Sequence, residues 1–368
     1  MKKRYLAGLL VLVLIMTSLV GCSGQASTSD NANQTAPEKQ IVWKVQGYTP
    51  AGTLYDEYGK RLADNITTMS NGRLKIEWYP ADAIVPSVDG PQAVRDGVLD
   101  GLFDYSGLWS SVEYAAPLFC SSPGLFSDPT DMVAWLDYGG GRELLQEMGD
   151  KIGVHIEPAG VHDMENFLWA NKPIDSIEAL KSVKLRMMPT MGEILAANGC
   201  NVVFMSAAEI IPSMERGVID AGEYSIPALD QTFGFQDVAK YYMRPGFHQP
   251  CATQQLVINK KNWESLPEDL KRIIQVACKE NQMYMLNDAA ARSIKAMEDF
   301  EKMGVELVVM PDEMIATLQE WTNAWYEKKV KEDPFLAKVH QSQVEFLKMW
   351  APYKQTEKIP YPDWALSQ

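Results

Sequence analysis

Residues 183–224 read VKLRMMPTMGEILAANGCNVVFMSAAEIIPSMERGVIDAGEY, and the way this stretch alternates decides the fold. Val183 to Met188 is a short, largely apolar run with Lys184 near its start and a single arginine, Arg186, near its end, as expected of a buried strand that stops at Pro189. Met191 to Asn198 and Ser206 to Glu215 carry apolar residues at helical spacing, and Ala221 to Tyr224 returns to a short strand. A strand, two helices and a strand are the material of parallel βα units rather than of a helical bundle or a β-sandwich.

The same alternation continues outward. Toward the N-terminus, Ile41 to Tyr48 is a strand closed by Pro50, and Thr53 to Thr68 is a helix with Leu54, Tyr58, Leu62 and Ile66 on one stripe. Asn71-Gly72 is a turn before a strand at Leu74 to Trp78. A helix over Val88 to Gly97, a strand over Val98 to Phe103 and a helical segment broken at Gly139-Gly140-Gly141 follow. Strands are predicted at Gly153 to Ala159, Asn166 to Asn171 and Gln254 to Asn259. From Glu268 to about Met303 the pattern is helical, broken at most once, Val305 to Met310 is a last strand, and Pro311 opens the final helices. The expectation is an α/β protein of two lobes joined by crossing strands and a long helix. Residues 40–160 and 253–310 form the first lobe, 161–252 the second, and 311–368 a helical C-terminal segment. Such folds hold a ligand between the lobes, at the carboxyl ends of strands.

Lys2, Lys3 and Arg4 precede an uncharged apolar run from Tyr5 to Val20, shorter than the roughly 20 residues a membrane span needs. The run suits a signal peptide over residues 1–21. Its end, Leu19-Val20-Gly21-Cys22, resembles the bacterial lipobox, which implies that Cys22 is acylated and anchors the mature chain. Residues 22–39 contain no large apolar side chain and read as a tether. The net charge of −14 falls by three more when the leader is removed, so a nucleic-acid partner is disfavoured. An anionic ligand then needs a local cationic pocket. Cys120, Cys200, Cys251 and Cys278 are widely spaced, which favours buried free thiols over a zinc site or disulfides.

Arg186 is the cation that stands out, a permanent charge at the end of an apolar strand. It is either half of a structural ion pair or an anion receptor. Downstream, Glu209 to Tyr224 resembles the signature stretch of the substrate-binding subunits of TRAP (tripartite ATP-independent periplasmic) transporters. The likeness extends to Ala51-Gly52-Thr53, Asn71-Gly72-Arg73-Leu74, Gly97-Val98-Leu99-Asp100-Gly101 and Ala134 to Gly141. It implies a periplasmic-binding-protein-like fold, an extracytoplasmic location and delivery of a ligand to membrane subunits. Within that family the chain is most similar to the branch that binds 2-oxo acids and related monocarboxylates, on the strength of Tyr138-Gly139-Gly140-Gly141, Tyr241 to His248 and Ala221 to Tyr224. Trp169-Ala170-Asn171-Lys172-Pro173 lacks the arginine usual in dicarboxylate binders.

By this resemblance Arg186 pairs with the ligand's carboxylate. A calcium or sodium ion is held by Glu223, the main chain of Tyr224 and Glu165, with Gln249 supplying an amide where a glutamate is common. Glu165, Tyr224, Gln249 and Trp109 are also expected to touch the ligand, Trp109 as a pocket wall. Tyr224 stands where tryptophan is usual, Phe167-Leu168 replaces smaller residues, and Gly107-Leu108-Trp109 lacks the tyrosines common in the first-lobe wall. Glu165 also reads as a solvated turn residue, and His248 as a packed hinge histidine rather than a metal ligand. No catalytic cofactor is implied. Gly139-Gly140-Gly141 does not continue into GxGxxG, because Leu144 takes the last position, and no GxSxG elbow occurs, so an enzyme is disfavoured. A binding module that reports to a membrane sensor is the other alternative. Trp321, Trp325, Phe335 and Trp350 give the C-terminal segment apolar surface for a homodimer or for packing on the lobes.

Overall fold

The structure, a computed structural model, describes residues 40–357 and 359–366. The expected signal peptide, Cys22 and the expected tether lie outside them. In chain order the elements are β1 (Ile41–Gly47), α1 (Leu54–Met69), β2 (Leu74–Tyr79), α2 (Gly90–Asp96), β3 (Gly101–Asp104), α3 (Pro129–Tyr138), α4 (Gly141–Ile152) and β4 (Val154–His162). Then come β5 (Leu168–Ala170), α5 (Ile177–Lys181), β6 (Lys184–Arg186), α6 (Pro189–Ala197), β7 (Asn201–Val203), α7 (Ala207–Glu215), β8 (Ala221–Gly222), α8 (Pro227–Phe233), α9 (Phe235–Val238) and β9 (Tyr241–Arg244). The chain finishes with β10 (Ala252–Asn259), α10 (Lys260–Ser265), α11 (Glu268–Lys302), β11 (Glu306–Val309), α12 (Asp312–Glu332), α13 (Pro334–Thr356) and α14 (Asp363–Leu366).

Two sheets result. The first has the order β2-β1-β3-β10-β4, and the second β11-β9-β5-β8-β6-β7. In the first, β1 runs parallel to β2 and β3, and β10 is antiparallel to both β3 and β4. The chain passes between sheets at 163–167, from β4 to β5, and at 245–251, from β9 to β10. The two passing segments are bonded to each other, Glu165 N–H donating to the Gln249 carbonyl at 3.2 Å. The third connection is α11, an unbroken helix of 35 residues. Leu270, Ile274 and Ala277 near its start pack with Trp43, Tyr58 and Leu62 of the first sheet's core. Ala296 and Phe300 near its end pack with Trp169, Phe235 and Tyr242 of the second.

That helix corrects one expectation. The strand at Val305 to Met310 is expected in the first lobe, yet β11 pairs in parallel with β9, Glu306 opposite Tyr241 through Val309 opposite Arg244, in the second sheet. At 1.5 Å per residue a helix of this length runs about 50 Å, which carries the chain from one sheet to the other before β11 begins. The helical C-terminal segment is present as expected. Trp350 donates its indole N–H to Asp131 on α3 at 2.7 Å, and Ser342 accepts from Trp135 at 3.1 Å. The four cysteines of the described chain are buried free thiols.

Local sequence explains the elements that aim the site. Thr53 caps α1 by accepting from Asp56 N–H, and α1 turns its apolar stripe onto the first sheet. The indole of Trp78 lies where a Cβ on Gly47 or Gly59 would sit, which seals α1 against β1 and β2. Ser206 and Glu209 form a capping box at the start of α7, so the chain after β7 is fixed before it returns to β8.

Candidate functional site

Four pieces of backbone converge between the sheets: the end of β6, the turn after β8, and the two passing segments. Arg186 is 4% exposed and sits at the last position of β6. Its Nη1 donates to Glu223 Oε1 at 2.7 Å and to the Glu223 carbonyl at 2.8 Å, and its Nε to the Met205 carbonyl at 3.3 Å. Nη2 meets only the Met188 thioether, at 3.6 Å. One corner of the guanidinium is therefore clamped inside the protein, while the other lacks an oxygen acceptor. The two sequence readings of Arg186, ion pair and receptor, are compatible. The pair with Glu223 orients the charge and leaves Nη2 without an oxygen acceptor.

Glu223 is fully buried. Its Oε1 also accepts from Met188 N–H at 2.7 Å, while Oε2 has no hydrogen-bond partner. Glu165, 2% exposed, is no solvated turn residue. Its Oε1 accepts from Gln249 Nε2 at 2.7 Å and from Ser225 Oγ at 3.3 Å, and its Oε2 is unpartnered. His248, buried and with neither ring nitrogen hydrogen-bonded, places Nε2 3.5 Å from Glu165 Oε2 and 3.8 Å from Glu223 Oε2. One ligand atom from each of Glu165, Glu223 and His248 lies within 4.8 Å of the others.

The electrostatics of this cluster follow from burial. Burial first, and then the charge of Glu223, push the Glu165 carboxyl well above the usual carboxylate range, against the pull of the Ser225 hydrogen bond and Arg186. Burial pulls the His248 and His162 imidazoles down to about 4, so both rings are neutral near pH 7. Two carboxylate oxygens and a neutral imidazole face one another with unused lone pairs, beside a single arginine. Such a donor set fits a cation.

Tyr224 is half-buried, its ring 4.1 Å from that of Phe233, and it follows Glu223 directly, so its main chain borders the cluster. Gln249 turns its amide N–H to Glu165 and lines a small cavity with Tyr105, Cys120, Ser121, Met188 and His248. Trp109 does not join them. Its indole N–H donates to buried Asp104 at 2.7 Å and its ring packs in the core with Leu102 and Leu118, so the expected pocket wall is a core residue. Asp104, which is thereby held, has its pKa raised by burial to about 6.

The wall on the first-sheet side comes from tyrosines that the sequence reading passed over. Tyr48 stacks between Tyr55 and Tyr105, with centroids 5.8 and 6.4 Å away. Tyr48 and Tyr105 immediately follow the parallel strands β1 and β3, and residues just past the carboxyl ends of parallel strands are where ligands bind in α/β sheets. That signal was available in the sequence. Gly107 has a specific part, because a Cβ there would lie 2.6 Å from the Tyr105 hydroxyl. Ser225 carries no periodic or motif signal in the sequence, and His248, expected as a packed hinge histidine rather than a metal ligand, lies with Nε2 beside both glutamates.

Gly246 sets how closely the passing segments approach. A Cβ on it would lie 2.2 Å from the Glu165 carbonyl oxygen, and backbone cannot swing aside as a side chain does. Gly246→Ala is expected to displace the 163–167 segment, destabilise the protein by about 1–3 kcal/mol and weaken ligand binding. Thermal melts with and without ligand check this; an unchanged melting temperature and affinity would show that the contact is slack.

A buried cluster of charges between two sheets that are linked by three connections is the arrangement expected of a two-lobed binding protein. The family model for bacterial extracellular solute-binding protein family 7 (DctP) matches residues 46–333. The chain belongs to that family. It is 26% identical over 371 residues, covering 100% of both chains, to a monocarboxylate 2-oxoacid-binding periplasmic protein of Nostoc sp.. It is similar to a TRAP periplasmic solute-binding protein of Colwellia psychrerythraea crystallised with calcium and pyruvate, at 26% identity and a TM-score of 0.82, over 87% of this chain and 98% of that one. A TRAP periplasmic solute-binding protein of Pseudoalteromonas atlantica with sodium and pyruvate gives 26% identity and a TM-score of 0.80 over 87% and 97%. The protein is an extracytoplasmic solute-binding component of TRAP transport.

Proposed function

We propose that this chain captures a small 2-oxo acid or related monocarboxylate together with a calcium or sodium ion and releases it, chemically unchanged, to TRAP membrane subunits. The observation that carries the reading is the Nη2 corner of Arg186, a buried donor without an oxygen acceptor, beside the unpartnered oxygens of Glu165 and Glu223. In this reading the ligand's carboxylate takes Nη2. Glu165, Glu223 and the Tyr224 main chain hold the cation, and Gln249 positions Glu165 or adds its amide oxygen. The cation draws the ligand's second oxygen to the same spot and offsets the two glutamates, which otherwise share one buried space at a cost. The tyrosine wall covers the rest of the acid. The pyruvate-bound relatives support an acid of a few carbon atoms. Mass spectrometry of small molecules released on denaturing protein purified from its own cells tests the assignment. A stoichiometric monocarboxylate is expected, and a released sugar, amine or nucleoside would contradict it.

The anchor belongs to the same proposal. An acylated Cys22 keeps the protein at the outer face of the membrane, where two or three acyl chains give stable attachment. A Cys22→Ala protein is expected to move from the detergent phase to the aqueous phase on partitioning while binding its ligand with unchanged affinity. Equal partitioning of both forms would remove the lipid anchor.

A further inference from the structure

The cation-and-acid cluster is tied to the first sheet by a chain of hydroxyls. Tyr55, 5% exposed, lies on α1, whose apolar stripe packs on the first sheet. Its hydroxyl is 2.8 Å from Ser225 Oγ, and both atoms are buried. Ser225 belongs to the turn after β8 in the second sheet. Its N–H donates to Asp230 at 2.9 Å, and Asp230 is held in turn by Asn166 Nδ2 at 2.8 Å and Trp169 Nε1 at 2.7 Å. The ring of Tyr55 stacks on His162 at the end of β4, with centroids 5.6 Å apart, so its direction is fixed. Ser225 Oγ then reaches Glu165 Oε1 at 3.3 Å. The two hydroxyls thus span the space between an element fixed to one sheet and a side chain fixed to the other.

We propose that Tyr55 is a closure-coupling residue. By donating to Ser225 Oγ it directs the Ser225 O–H toward Glu165 Oε1, which leaves Glu165 Oε2 facing Glu223 and His248. The placing of Oε2 for the cation and the holding of α1 against the second sheet are then one linked equilibrium. Linkage makes the effect reciprocal: whatever the closed contact adds to ligand affinity, the ligand adds to closure. This inference rests on the proposed location of the cation and acid. It goes further in naming a residue whose hydroxyl is taken by Ser225 rather than by the cation or the acid, and that sets how tightly both are held.

Tyr55→Phe removes one oxygen and keeps the ring, and Ser225→Ala removes the middle of the chain. Spin labels at the exposed positions Lys75 and Glu215, one on each side, report the separation of the sheets. In the protein without added ligand, Tyr55→Phe is expected to move the distance distribution toward longer separations. With calcium chloride and pyruvate as probes, affinity should fall about five- to tenfold, the cost of one buried hydrogen bond. Ser225→Ala should cost about as much, and the double variant no more than either alone, because the two residues act as one unit. In a Glu165→Gln background, Tyr55→Phe should change little, whereas a merely structural tyrosine would cost the same in both backgrounds. A wild-type distance distribution in Tyr55→Phe, or losses that add across the variants, would overturn the coupling. If the wild type binds no monocarboxylate, the functional reading fails, while the distance measurement still decides the fate of the Tyr55 contact.

Discussion

Arg186→Ala is expected to lower the affinity for a monocarboxylate by two to four orders of magnitude. The residue is buried and its Nη1 corner is engaged by Glu223, so alanine removes the anion's donor and leaves Glu223 without a counter-charge. Breaking a buried pair by removal of one partner costs about 3–5 kcal/mol, which is the stated range of affinity. Lysine does not restore it. A single ammonium cannot bond Glu223 Oε1, the Glu223 carbonyl and an incoming carboxylate from one position with the spread of the planar guanidinium. Calorimetric titration of wild type, Arg186→Ala and Arg186→Lys checks this, with melting temperatures recorded so that unfolding is not read as lost affinity. An alanine variant within a few-fold of wild type would mean that Arg186 serves Glu223 alone.

The second large effect is expected at Glu223. Glu223→Gln keeps an oxygen for Arg186 Nη1 and Met188 N–H but removes the charge that faces Glu165 and His248. Cation affinity should drop about a hundredfold or more, and acid binding should lose its dependence on calcium or sodium. The wild-type protein carries a pH signature of the same cluster. Because the Glu165 carboxyl is raised in the folded state, its contribution to stability is present at acid pH and is lost as pH rises through the folded value. A cation that replaces the proton restores that stability, so the calcium-induced rise in melting temperature should be larger at pH 8 than at pH 5. In Glu223→Gln that difference should shrink, since one cause of the raised value is gone. A calcium response independent of pH, or a Glu223→Gln protein that still needs the ion, would contradict the cation site.

Much of this was legible before any coordinates. Strand and helix periods placed β1, α1, β2, β6, α7 and β10 within a few residues, because each has a one-sided apolar pattern and a clear stop. Arg186 was visible as a single arginine at the end of an otherwise largely apolar strand. What the pattern lacked was long-range partnership. Nothing local says that β11 leaves the first sheet, since that depends on α11 staying helical over its whole length. Trp109 looked like a pocket wall because aromatic residues in loops often are; the buried Asp104 that captures its indole lies only five residues away, but the turn that joins them is not a sequence feature. Residues 107–109 lack tyrosines, as the sequence shows, and the tyrosines beside the cluster on the first-sheet side are Tyr48 and Tyr105, which stack on each other. His248 looked like a packing residue, and it is packed. Its neighbours, two glutamates brought in by separate segments, are what make it part of the site.

The central claim is that the protein recognises a carboxylate and does no chemistry on it. Titration of the wild-type protein with pyruvate and with pyruvamide, in buffer containing calcium and sodium, tests this most directly. The account predicts one pyruvate bound per chain, recovered unchanged after denaturation, and an amide at least a hundredfold weaker. An amide that binds as tightly as the acid, or pyruvate consumed during the titration, would contradict it.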